Sequence, residues 1–165
     1  MTYTVKQTSD TGDLTISYTR PYLDTAAIAQ QISDITTQQT GVTPAGVQCP
    51  DRIPTGKGGT VTCSASLEGQ PLTYTVTQTD DQGALNIAYT RVLQVTSVND
   101  QLAAQLTKDV GEQIVAVCGS EGQTVIVNEP GTPISCGAAN AANPDRNAPV
   151  RVVVDEAGAL TYEVL

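Results

Sequence analysis

Three kinds of side chain in this sequence could support chemistry: four cysteines, several neighbouring carboxylates, and a lysine set among glycines. The cysteines are Cys49, Cys63, Cys118 and Cys136. No two form a C-x-x-C pair, and the chain has no histidine to complete a zinc set. Widely spaced cysteines in even number, in small Thr-rich units, read as disulfides and so as an oxidising compartment. The alternative is reduced thiols in the core, since free Cys is among the most buried residue types.

The lack of histidine also removes Ser-His-Asp and Cys-His nucleophiles. A Ser-Lys pair needs a buried lysine, whereas Lys6 falls in a hairpin arm, Lys57 in a glycine loop and Lys108 on a polar helix face. Asp80-Asp81, Asp155-Glu156 and Asp10 with Asp13 are the paired carboxylates. General acid–base work needs two carboxyls in a cleft with separated pKa values. These pairs sit at matching turn positions, where Asp hydrogen-bonds its own backbone, and no calcium-loop spacing occurs. Gly56-Lys57-Gly58-Gly59-Thr60 is not a phosphate loop, because glycine follows the lysine and the next element is a strand. The expectation is a protein that is not an enzyme, with no catalytic residue, metal or cofactor.

Recognition is the remaining chemistry. Seventeen acidic against eight basic residues give a net charge of −9, which opposes binding to nucleic-acid phosphates and to anionic lipid. Against that background two stretches beside the cysteines, 50–59 and 137–149, carry Arg52, Lys57, Asn143 and Arg146. Both read as long loops at comparable places, pinned by a disulfide to a rigid sheet, as recognition surfaces often are. The plainer reading is that they are tolerated insertions.

The elements that must position these residues follow from an internal repeat. Residues 2–20 and 73–91 are identical at thirteen of nineteen positions without a gap. A worn third copy occupies 150–165, where Gly158-Ala159-Leu160 matches Gly83-Ala84-Leu85. Each copy reads as a β-hairpin with Asp and Gly at the turn and one apolar face: Leu14, Ile16 and Tyr18, then Leu85, Ile87 and Tyr89, then Leu160, Tyr162 and Val164. Between hairpins, Asp24 is expected to cap a helix that ends near Gly41 and carries Ile28, Ile32 and Ile35 on one face. Ser97 with Asp100 predicts a capping box before a second helix carrying Leu102, Leu106 and Val110. The order in each unit is helix, Cys strand, Cys strand, hairpin. The expected class is therefore α+β in tandem units, each one helix on a roughly four-stranded antiparallel sheet. Residues 21–92 and 93–165 form the two units and 1–20 a partial repeat. Their order pairs Cys49 with Cys63 and Cys118 with Cys136.

The chain opens on a polar, alternating stretch with no apolar leader region, so any leader or anchor is expected upstream of it. Any membrane attachment would come through that anchor. The hairpin at 2–20 lacks a helix of its own and is expected to dock on a neighbouring sheet or, by strand exchange, in a homodimer.

Val47-Gln48-Cys49-Pro50-Asp51-Arg52-Ile53-Pro54, then Gly58 to Cys63, a glycine turn at Gly69 and Thr73-Tyr74-Thr75-Val76-Thr77 carry a resemblance. Together they resemble a domain of unknown function found in actinobacterial envelope proteins and lipoproteins. It covers about 22–91, with 1–20 as a partial unit. The second unit departs from it: Gly119 stands where proline follows the first cysteine, and the inter-cysteine segment is longer. The resemblance implies an extracytoplasmic location and brings no catalytic residue. The resulting expectation is a binding or adaptor module of the cell envelope, its partner another protein or an envelope component. Rival readings are an inhibitor of a secreted or periplasmic enzyme and a carrier of a small apolar ligand.

Overall fold

In the computed structural model, alternating Thr and apolar residues form strands and two Ala- and Gln-rich stretches form helices, giving an α+β fold described at residues 2–7, 13–19 and 22–165. Strands β1 (Thr2–Gln7) and β2 (Leu14–Thr19) pair antiparallel, with Val5 opposite Ile16. The side chains of Leu14, Ile16 and Tyr18, and so the face expected of them, lie outside the described residues.

Helix α1 (Thr25–Thr40) starts where Asp24 accepts from the backbone N–H groups of Ala26 and Ala27 at 3.0 and 3.2 Å. It ends at Gly41, whose φ of 77° only glycine adopts freely. Ile28 and Ile32 are buried, and Thr36 and Thr40 continue the same stripe. A threonine hydroxyl tolerates burial there because it donates one turn back: Thr36 Oγ1 to the Ile32 carbonyl and Thr40 Oγ1 to that of Thr36, both at 2.7 Å.

That helix covers a sheet of β3 (Ala45–Gln48), β4 (Thr60–Leu67), β5 (Gln70–Gln78) and β6 (Leu85–Tyr89), ordered β3-β4-β5-β6. The period of two shows in β5, where Leu72, Tyr74, Val76 and Gln78 face inward. A second sheet has the same order of corresponding strands: β8 (Ile114–Cys118), β10 (Pro133–Asn140), β11 (Asn147–Val154) and β12 (Leu160–Val164). Helix α2 (Val95–Val110) covers it with Val95, Val98, Leu102 and Leu106. The disulfides are Cys49–Cys63 and Cys118–Cys136, one in each sheet. Closing loops of this length stabilises by about 3 kcal/mol each.

Three expectations are corrected. First, α2 begins at Val95, so Ser97 and Asp100 lie inside it and form no capping box, and the Gln94 side chain at the cap makes no capping bond to the helix. The Val95 N–H donates instead to the Thr124 carbonyl at 2.9 Å, a backbone acceptor supplied from downstream in the chain. Second, Val110 lies on the apolar period of α2 yet is exposed. Third, 137–149 is mostly strand, with Gly137 opposite Pro149 and Ala139 opposite Asn147, leaving 141–146 as the loop. Its small residues carry too little hydrophobic alternation to be read as strand.

The element not anticipated is a ribbon of β7 (Val92–Gln94) paired antiparallel with β9 (Val125–Val127). Successive side chains of a strand point to opposite faces, and here the two faces belong to two different cores. Val125, at 0% exposure, joins the core under α1, while Ile126 joins the core under α2. Val92 and Leu93 divide in the same way. A charge at Val125 would be buried without a partner. Val125→Asp is expected to lower unfolding free energy by about 3 kcal/mol or more, whereas Val115→Asp on the open sheet face stays within about 0.5 kcal/mol of the parent. Denaturant titration of both variants decides it.

Candidate functional site

The four loop residues expected to recognise a partner fall on different connections. Arg52 and Lys57 lie between β3 and β4, whereas Asn143 and Arg146 lie between β10 and β11, so the two loops are not counterparts. The Arg52 guanidinium carbon stands 5.8 Å from the centre of the Tyr22 ring, in cation–π range. Around Lys57 the chain is a built turn. Buried Gln78 accepts from the Gly56 N–H at 2.8 Å and donates to the Pro54 carbonyl at 2.7 Å, and Asp81 accepts from the Lys57 N–H at 2.8 Å. A Cβ at Gly59 would stand 2.8 Å from the Gln78 amide nitrogen. The glycines therefore let two strands close over Gln78.

In the other loop Asn140 accepts from the Ala142 and Asn143 N–H groups at 2.9 and 3.0 Å, forming an Asx turn. Its amide donates to Glu112 Oε2 at 2.6 Å, and Arg146 reaches the same oxygen at 3.0 Å. The Arg146–Glu112 pair is exposed, so it orders the loop and contributes little to stability.

Beneath that pair lies an apolar pocket of about 260 Å³ where α2 ends over the second sheet. Leu106, Val110, Ile114, Val150 and Val164 line it, with Glu112 and Arg146 at the rim. Strand registers explain why it is open. Cys63 stands opposite Tyr74 and Tyr74 opposite Tyr89, while Cys136 stands opposite Val150 and Val150 opposite Val164. Two tyrosines in the first sheet are thus two valines in the second. Leu72, opposite Ala65, is likewise replaced by Ala148, opposite Ala138. In the first sheet Tyr74 shares a 2.9 Å hydrogen bond with Thr36 and Tyr89 donates to Gln39, which closes the matching space. Burial pushes both phenols above the ordinary tyrosine range. Of the expected site residues, only Arg146 joins this pocket's lining. The change from Tyr74 and Tyr89 to Val150 and Val164 was the readable signal for the rest.

The outward face of the second sheet is also apolar at one edge, where Val115 and Val117 are exposed beside Ala139 and Gly137. The carboxylates behave as turn groups: Asp80 accepts from the Gln82 and Ala84 N–H groups and Asp155 from that of Ala159. Hydrogen bonds from the Ala84 and Gln82 backbone hold the Asp80 carboxyl below the usual range. No three Asp, Glu, Cys or His side chains gather as a metal site among the described residues.

Glu68 is one of the carboxylates with structural work outside its own turn. It sits at φ 47°, uncommon for a non-glycine residue, and accepts from Thr124 Oγ1 and from the Thr124 and Val125 N–H groups. The Thr124 hydroxyl, first, and these backbone donors lower its pKa from 4.5. A carboxyl depressed in the folded state contributes stability above its unfolded pKa, which is lost as pH falls through the folded value. Glu68→Gln is therefore expected to destabilise at pH 7 and to match the parent increasingly as pH drops below 4.5, as paired denaturant curves would record.

Residues 14–83, from β2 to the β5–β6 turn, match the family model of a domain of unknown function (DUF4333). No curated protein and no solved structure matches the chain.

Proposed function

We propose that this chain is a non-enzymatic binding or adaptor module of the bacterial cell envelope, built of two units in tandem. Its recognition site is the open apolar end of the second unit. The two disulfides point to an oxidising, extracytoplasmic compartment. No helix among the described residues is long and apolar enough to cross a membrane. The resemblance to actinobacterial envelope proteins and lipoproteins supports the finer placement.

The pocket under Arg146 and Glu112 carries this reading. An aliphatic floor with a few polar groups at the rim is the usual form of a recognition pocket. Val110 and Val164 at its mouth are exposed, so an occupant remains in contact with solvent. That favours a side chain presented by a larger partner over a small apolar cargo enclosed between helix and sheet. The inhibitor reading has one feature in its favour, the exposed ring of Tyr22 under Arg52, which could serve as a protruding anchor.

Oxidised protein fixed to resin is expected to retain a specific component of an envelope extract, identified by mass spectrometry. Val110→Glu should abolish that retention while Lys57→Ala leaves it unchanged. Equal retention by the Val110→Glu variant would refute the site. Hydrolase and transferase panels are expected to stay blank, and saturable turnover lost on changing one named residue would overturn the non-enzymatic reading.

A further inference from the structure

The open end of the second unit has a covered counterpart in the first, and that counterpart identifies what fits it. Helices α1 and α2 both run sixteen residues and end at glycines in the left-handed conformation. Counted back from those caps, Ile28 corresponds to Val98, Ile32 to Leu102, Thr36 to Leu106 and Thr40 to Val110. Every pair is buried in both helices except the last, where Thr40 is 8% exposed and Val110 55%.

What covers the Thr40 end is the β7–β9 ribbon. Gln94 donates to the Thr40 carbonyl at 2.9 Å, and Val125 sinks into the core beside Leu67 and Leu72. Gln70 exchanges two bonds of 2.9 Å with the ribbon, donating to the Val125 carbonyl and accepting from the Val127 N–H. Each half thus offers an acceptor end, and each carries a ribbon just ahead of its helix.

The first unit's ribbon is shorter but has the same register. Tyr22 bridges Pro54, and the Leu23 N–H donates to the Ile53 carbonyl at 2.8 Å. These pairs match Val92 with Val127 and Leu93 with Ile126. Leu23 and Ile53 turn into their own core, as Leu93 and Ile126 do. The outward residues, Tyr22, Arg52 and Pro54, correspond to Val92, Val125 and Val127. Tyr22 is 46% exposed, with Arg52 stacked on its ring.

We infer that a second copy of this chain seats its Tyr22–Pro54 ribbon on the open end of the first, so that copies join head to tail through the geometry already linking the two halves of one chain. Tyr22 covers Val110 and Val164, and Arg52, standing where Val125 stands in the internal interface, comes to the rim where Glu112 pairs with Arg146. The inference rests on the open end being a binding site. Its two patches differ, so the contact is heterologous and association continues with concentration unless a ring closes.

Sedimentation velocity on the oxidised protein, from micromolar to millimolar concentration, tests this. The parent is expected to grow in mass with concentration. Val110→Glu, which spoils the acceptor, and Tyr22→Ser, which spoils the donor, should each weaken association by at least about tenfold. Mixed together, the two variants should recover a one-to-one dimer and nothing larger, since one good donor and one good acceptor remain. Both positions are exposed, so melting temperatures should match the parent; Val164→Glu and Pro54→Glu serve as a second pair if either does not. A parent that stays monomeric throughout, association that survives in either variant, or a mixture that fails to pair overturns the inference. If the parent is monomeric while Val110→Glu still loses its envelope partner, the second copy is wrong and the binding end stands. If neither readout responds to Val110, both fall.

Discussion

Everything in this fold depends on one property of a strand: neighbouring side chains must leave it on opposite faces. In β9 that rule sends Val125 into the core under α1 and Ile126 into the core under α2. Neither core is closed without the ribbon. The backbone of a strand shared in this way needs hydrogen-bond partners on its free edges, and the first sheet supplies them from its β4–β5 turn through Glu68 and Gln70. Glu68 takes an uncommon backbone conformation at that turn, and its carboxylate meets Thr124 and Val125 there. Further along the same seam, Arg91 donates to the Asp155 and Glu156 carbonyls in the last turn of the chain.

The two halves solve the same packing problem with different side chains. In a chain without Phe or Trp, the first half fills the far end of its core with Tyr74 and Tyr89 and lets threonines continue the buried stripe of α1. Tyrosine suits that place because its ring fills volume while its hydroxyl finds a partner on the helix, in Thr36 and Gln39. The second half has valines at the matching positions and an aliphatic helix end, Leu106 and Val110. It therefore has nothing polar to satisfy there and too little volume to close the space. An apolar floor left open is a place for another molecule, whereas the same site filled by tyrosines is a wall.

A reading of the residues in order captured what repeats locally and lost what crosses between halves. The first helix was legible at both ends, its cap at Asp24 and its end near Gly41, because both residues act within a few residues of themselves. The second helix was not, because the acceptor for its first turn is the Thr124 carbonyl, well downstream in the chain. Ser97 and Asp100 formed a convincing local signal that the actual start at Val95 made irrelevant. Arg146 was selected for its charge in an acidic chain and does stand at the pocket rim. Val110 and Val164 were read only as members of an apolar face, since periodicity assigns a face to a residue and says nothing of whether that face is covered.

The sequence by itself determined the class of the fold, the pairing order of the cysteines and the turn role of Asp80 and Asp155. Each of these depends on spacing within one unit, whose hairpin recurs at 2–20 and 73–91 with thirteen of nineteen positions identical. Only the tertiary structure decided that β9 serves two cores, that the stretch after Cys136 is mostly strand with a loop only at 141–146, and that one end of the second sheet is open. Those features depend on which surfaces meet. Val125-Ile126-Val127 is three apolar residues whatever they touch, and a short apolar run has no period from which its two destinations could be read.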